Sequence, residues 1–462
     1  MTRQRSFGRR RIMFAIIALS WVANATAAWA QFETRGRGPL PNESLAVATG
    51  DFNNDGKVDV AVVGDYLSIL LGNGDGTFQP PINYQGPFYS IAVADFNNDG
   101  NADLVVTPSS NNIAVFLGRG DGTFQSPIYS PTTGPLGSLV VGDFNGDHRA
   151  DVAGAGNSYI SILLGKGDGT FESSIDNNSF FAPGHLAVGD FNNDHLLDLV
   201  VVGSFGSSAT IGVLLGNGDG TLQSSLTYLL SDTPDSVAAA DFNGDGKLDV
   251  AVGGYLVSEV TVLLGNGDGS FRQGVSYPGG GYEVIVGDFR GTGKLDMVAE
   301  PSEPGVAEFL GNGDGTFQQA KIYHSGAGYT AAVGDLNGDH KLDVVLLGSK
   351  PLAITSMLNT GVLEFSPCSP LAFGAQRVNT TSKPKIVSLT NTGSKPISFN
   401  SMRVTGAFRA RDTCGGTIAA GAVCRVDVTF TPSKPGHERG GITIVDSASS
   451  KPQYIELSGV GK

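Results

Sequence analysis

Three cysteines and six histidines are all that this chain of 462 residues carries of the side chains that commonly build redox or nucleophilic sites. None of the histidines (148, 185, 195, 324, 340 and 437) falls in a Ser/His/Asp or Cys/His pattern, and no catalytic residue is assigned. Helix-forming periodicity is almost absent beyond the first 25 residues, while glycine occurs 66 times, which points to turn-rich β-structure. No basic stripe interrupts the sequence, so nucleic acid is excluded as a partner. No apolar run after Ala23 approaches the length of a membrane span.

The first 30 residues stand apart. Arg3, Arg5 and Arg9 to Arg11 precede an apolar run from Ile12 to Ala23, and Ala28-Trp29-Ala30 fits a small-x-small cleavage pattern. The expectation is a signal peptide over 1–30, with Ala27 as the alternative cut and either general or twin-arginine export. The mature protein is then secreted or held at the cell surface, without a membrane span and as a monomer. Removing that segment takes the net charge from −14 to −19, because it holds five arginines and no acid. In an exported chain the pair Cys414 and Cys424 is read as a disulfide, with Cys368 left as an inert thiol.

Against these absences stands one abundance. The stretch Asp51-Phe52-Asn53-Asn54-Asp55-Gly56-Lys57-Val58-Asp59 returns at Asp95, Asp143, Asp190, Asp241, Asp288 and Asp335, at intervals of 44 to 51 residues. Seven copies at that period mean a repeat architecture. Oxygen-bearing side chains occupy loop positions 1, 3, 5 and 9, glycine occupies position 6, and the backbone carbonyl of position 7 is available. Calcium takes six to eight oxygens, and an alternating Asp/Asn loop closed by a left-handed glycine supplies them. An EF-hand would need Glu at position 12, where Val62 stands, and helices on both flanks; these flanks read as strands.

Each repeat reads as four short strands. In the second they are Ser90 to Ala94, Ala102 to Thr107, Asn112 to Leu117 and Phe124 to Tyr129. Seven such units make an all-β, seven-bladed propeller over residues 31–366. Phe32 lies 19 residues before Asp51, much as Phe78 lies 17 before Asp95, so the N-terminal strand is expected to pair with the last blade and close the ring. A second signature, Leu71-Gly72-Asn73-Gly74-Asp75-Gly76-Thr77-Phe78, recurs in each repeat and decays to Leu358-Asn359-Thr360-Gly361 in the last. It reads as a tight hairpin turn.

The two signatures together resemble the FG-GAP/VCBS repeat family, which includes the integrin α-chain propeller and many exported bacterial proteins. The resemblance implies up to six structural Ca2+ ions. Their expected ligands are Asp51, Asn53, Asp55, Lys57 (carbonyl) and Asp59; Asp95, Asn97, Asp99, Asn101 (carbonyl) and Asp103; and Asp143, Asn145, Asp147, Arg149 (carbonyl) and Asp151. The remaining three sets are Asp190, Asn192, Asp194, Leu196 (carbonyl) and Asp198; Asp241, Asn243, Asp245, Lys247 (carbonyl) and Asp249; and Asp335, Asn337, Asp339, Lys341 (carbonyl) and Asp343. His148, His195 and His340 replace the position 6 glycine, with weaker binding and solvent-facing rings expected. The sixth copy has Arg290 and Thr292 at positions 3 and 5, so Arg290 is expected to substitute its charge for an ion. Residues 367–462 read as short alternating strands of an immunoglobulin-like β-sandwich, with Pro367 to Pro370 as linker. They resemble the ASH (abnormal-spindle/hydin) or choice-of-anchor D family, in which the cysteine pair is a common disulfide.

Strand alternation places the calcium loops and Gly-Asp-Gly turns on one face and the variable loops on the other. Six residues before each loop stand Leu45, Tyr89, Gly137, Gly184, Asp235, Tyr282 and Tyr329. Tyr89, Tyr282 and Tyr329 are candidate ligand-binding residues, with Phe88, Phe180, Phe181, Phe205 and Tyr255 adding aromatic area. The expected function is a non-enzymatic binding or adhesion module for an extracellular protein or glycan. The alternative is a polysaccharide-active, lyase-like enzyme, disfavoured because those variable loops show no acidic cluster.

Overall fold

The computed structural model describes residues 32–40, 44–178, 182–205, 208–224, 226–230, 233–254, 256, 258–301, 305–324, 330–349, 352–359, 363–366, 371–391, 396–419, 421–447 and 453–462. The expected signal segment, Tyr329, Phe180, Phe181, Tyr255 and Cys368 lie outside them. All regular elements among the described residues are strands.

Seven four-stranded antiparallel sheets follow one another. In the first blade Ser44–Gly50, Asp59–Gly64, Tyr66–Leu70 and Ile82–Gln85 pair in sequence order. The first strand of every blade touches the first strand of the next, and that of blade 7 (Thr330–Gly334) touches that of blade 1, so the ring is closed. Phe32–Pro39 supplies the outer strand of blade 7 by pairing with Leu352–Asn359. The expected closure is therefore present. It leaves no open edge where the first and last blades meet.

The cores lie between blades. Phe52, Ala61 and Leu67 of blade 1 pack with Leu104, Ala114 and Phe116 of blade 2, and equivalent clusters join each later pair, the last linking blade 7 back to blade 1. Second strands are buried on both faces, as Asp59–Gly64 illustrates along its whole length, which is why they read as unbroken apolar runs. Each buried Val, Leu, Ile or Phe contributes roughly 1.5–3 kcal/mol before entropy is counted.

The loop phenylalanines explain the phase of the repeat. Phe52 meets Phe124 of the next blade edge-on at 5.7 Å; Phe96 meets Phe171 at 5.8 Å, Phe191 meets Phe271 at 6.1 Å and Phe242 meets Phe317 at 5.3 Å. Blade 7 has lost the corresponding turn, and Phe32 of the closing strand takes its place against Phe289 at 5.9 Å.

Two expectations shift at the strand level. In blade 2 the fourth strand is Ile128–Pro131, because Phe124 is used in a single bridge to Gly118. Phe88 is 1% exposed and packs on Phe116, so it is core and adds no surface aromatic area. A bulge between Phe88 and Ile91 reverses the alternation there.

The C-terminal part is a two-sheet sandwich. One sheet orders Leu363–Ser366, Lys385–Asn391, Val423–Phe430 and Phe408–Asp412; the other orders Leu371–Gln376, Gln453–Gly461, Gly436–Asp446, Ile397–Val404 and Thr417–Ile418. Phe373, Phe408 and Phe430 stand in its core. The propeller boundary at 366 is corrected: Leu363–Ser366 pairs with Lys385–Asn391 and belongs to the sandwich. Cys414 and Cys424 are joined as a disulfide.

Candidate functional site

The nine-residue loops join the first and second strands of their blades. In the first, Asp51 accepts the amides of Asp55 (3.1 Å) and Gly56 (2.8 Å), Asn53 accepts Asp55 (3.1 Å), and Asp55 accepts Lys57 (2.9 Å). This wrap requires a left-handed residue at position 6. Gly56 has φ +78°, and the three histidines that replace it adopt φ +63°, +69° and +66°. Their side chains are at least 92% exposed. The sequence expectations for His148, His195 and His340 therefore hold in conformation and direction.

The position 9 aspartate behaves differently from its loop partners. Asp59 is fully buried; one oxygen accepts the Phe52 amide at 2.9 Å and the other the Gly72 amide at 2.7 Å. Asp103, Asp151, Asp198 and Asp249 repeat both bonds. This residue ties the calcium-type loop to the Gly-Asp-Gly turn of its own blade. The turn then reaches the neighbouring blade: Gly122 donates to the Phe52 carbonyl at 2.9 Å, and the same link recurs around the ring. In blade 7 the Asn359 amide bonds Asp343 and its side chain donates to the Phe289 carbonyl at 2.6 Å, so the degenerate copy keeps both links. The two motifs thus form one network on one face.

Burial, opposed by the amide bonds and reinforced by the charges at positions 1 and 5, holds the position 9 carboxyls above the usual range. Asp103 and Asp151 are pushed up to about 6 and Asp343 to about 7. The sixth loop compensates internally. Arg290 forks onto Asp296 at 2.6 and 3.0 Å and donates to the Gly311 carbonyl at 2.8 Å, its side chain only 7% exposed.

Positions 1, 3, 5 and 9 of the other six loops all carry side-chain oxygens, and in the first loop each oxygen of Asp51 holds a single loop amide and can accept more. Among the described residues, however, no three His, Cys, Asp or Glu side chains gather as a metal cluster. The donors fit in kind, and the carboxylates rest on their own loop amides.

The opposite face is irregular. Tyr89 is 49% exposed and Leu45 47%, and Tyr282 is half-buried. An acidic cluster occurs here, correcting the expectation that this face has none. Asp235 stands at a bulge beginning the first strand of blade 5. Glu283 and Glu300 lie across from each other in blade 6, where the Glu300 amide bonds the Glu283 carbonyl at 3.2 Å. The blades are locked together at this point: Val284 donates to Ser236 Oγ at 3.0 Å, and a Cβ on Gly253 would lie 2.3 Å from the Gly281 carbonyl. Burial, then mutual repulsion, pushes Glu283 up to about 7 and Glu300 well above its ordinary value. Burial holds Asp235 above its ordinary value as well, opposed by the charge of His185 on blade 4. Only Asp235 in the column six residues before each loop hinted at this cluster.

A closed ring of seven repeats, stitched by aspartate loops on one face, defines a repeat β-propeller followed by an immunoglobulin-like domain. A family model described as FG-GAP-like repeat matches residues 51–106, 95–154, 143–201, 190–252 and 241–299, and the chain belongs to that family. A second, described as HYDIN/CFA65/VesB-like Ig-like domain, matches residues 361–460. No curated protein matches the chain. Among solved structures, it is similar to an Agrocybe aegerita lectin described as specifically recognising non-reducing terminal N-acetylglucosamine. That similarity has 20% identity and a TM-score of 0.46, covering 69% of this chain and 86% of the lectin. It is also similar to the ASH/PapD-like domain 7 of human CEP192, with 16% identity and a TM-score of 0.18, over 22% of this chain and 85% of that one.

Proposed function

We propose that this protein is an exported, calcium-stabilised binding module that recognises an extracellular protein or glycan on the face opposite its aspartate loops. The observation that carries this reading is the division of labour between faces. The loop-face motifs bond to one another around the ring, whereas the other face presents Tyr89 and Leu45 to solvent. Exposed aromatic side chains at a rim suit sugar rings and peptide side chains. Calcium belongs to the reading because a cationic guanidinium enters the one loop that has lost its amide and carboxylate groups at positions 3 and 5. Bound there, an ion would supply charge neutralisation and cross-linking; the residues at positions 1, 3 and 5 and the position 7 carbonyl would hold it, with position 9 sharing its oxygens.

The test is a screen of the mature protein, with calcium, against a glycan array and extracellular protein fractions. A hit should weaken about tenfold or more in the double variant Tyr89→Ala/Tyr282→Ala, with melting unchanged, since that factor equals about 1.4 kcal/mol. Equal binding by wild type and double variant would remove the rim from the account.

A further inference from the structure

Glu300 is 2% exposed, and neither carboxyl oxygen has a hydrogen-bond partner among the described residues. A buried polar group left in that condition is costly and calls for a donor from outside the chain. Its nearest charged neighbours are Glu283 and Asp235, both only half-buried. Exposure increases further at His185 on the adjoining blade. All four residues lie at the end of the first two strands away from the aspartate loops. The site therefore grades from an open rim to a deeply buried acid.

We propose that this end of the propeller receives a lysine side chain of a polypeptide partner, its ammonium paired with the unpartnered Glu300 carboxylate while Glu283 and Asp235 add negative charge along the way in. The proposal rests on the reading of this face as the binding surface. An ammonium carries three donors and no acceptor, matching an unpartnered carboxyl whose charged neighbours are acids. Its thin four-carbon stem can follow the gradient inward. The ammonium of an amino sugar is fixed to a ring and would stop at the rim. A metal ion is a poorer occupant, because hard cations need six to eight converging oxygens, whereas an ammonium is satisfied by three acceptors. The strongly acidic chain would also attract a basic partner.

The experiment titrates the mature full chain, in calcium, with a Gly-Gly-Lys-Gly-Gly peptide, its norleucine counterpart and glucosamine, read by ligand-observed NMR. The lysine peptide should bind at least about tenfold better than either competitor. Glu300→Gln should abolish that preference while melting stays level or rises. Asp235→Asn, at a more exposed position, should weaken it and serves if the first variant does not fold. Equal binding of lysine and norleucine, tighter binding of glucosamine, or an unchanged preference in the folded variants would each overturn the proposal. A lysine peptide that fails to bind, beside a positive ligand screen on the same face, overturns only the ammonium site. Failure of both removes the binding face as well.

Discussion

The two ends of the propeller hold acids in opposite conditions. On the loop face, Asp59 and its equivalents are wholly buried yet spend both oxygens on backbone amides. At the far end, Glu300 is as deeply buried and spends neither. The first arrangement repeats blade after blade and accounts for the fold; the second occurs at the junction of blades 5 and 6. An acid saturated by its own chain is architecture, and an unpartnered one marks a place for something else.

The comparison can be broken from either side. The largest effect expected is from chelation: EDTA should lower the melting temperature of the mature protein by about ten degrees or more. Each site filled at a hundred times its Kd contributes about 2.7 kcal/mol. A melting curve indifferent to chelator would contradict the calcium reading. Next, Arg290→Ala should destabilise by about 3–5 kcal/mol, because it strands the buried Asp296. Pairing that loop's reversion, Arg290→Asn with Thr292→Asp, should restore stability only when calcium is present; denaturant melts with and without the ion check this.

Asp103→Ala leaves the Phe96 and Gly118 amides without acceptors and should cost about 2–4 kcal/mol, at roughly 1–3 kcal/mol for each unsatisfied group. Glu300→Gln should cost nothing, which is the sharpest contrast between the ends. The smallest effect is in pH. The carboxyls of Asp103, Asp151 and Asp343 are raised to about 6, 6 and 7, chiefly by burial. The folded chain thus keeps protons that the unfolded chain releases near pH 4. Their stabilising contribution is full below that pH and is lost as pH rises through 6 to 7. In EDTA the melting temperature should therefore be a few degrees higher at pH 5 than at pH 8, and calcium should flatten the difference. A lower melting temperature at pH 5 in EDTA would contradict the assignment.

Most of the ring was legible because it repeats. The in-phase loops, the glycine turns and the early placement of Phe32 together imply seven blades and a closing strand. Arg290 could be read as a replacement cation because six sister loops show what it replaces. The acidic cluster was hidden for the opposite reason: Asp235, Glu283 and Glu300 share no motif and meet only when blades 5 and 6 pack. Phe88 was counted as surface area because it neighbours Tyr89 in sequence, whereas the bulge at that point turns it into the core. The double role of the position 9 aspartate was equally invisible, since its second partner, Gly72, is 13 residues away.

The claim on which the rest depends is that the aspartate loops hold ions that stitch the ring. Equilibrium dialysis of the mature chain against calcium, with metal content measured per chain, tests it directly. The six loops whose donors are all oxygens predict six ions, falling to five in Asp51→Ala/Asp55→Ala. A chain that takes up no calcium at millimolar concentration, with melting unaltered, would contradict it.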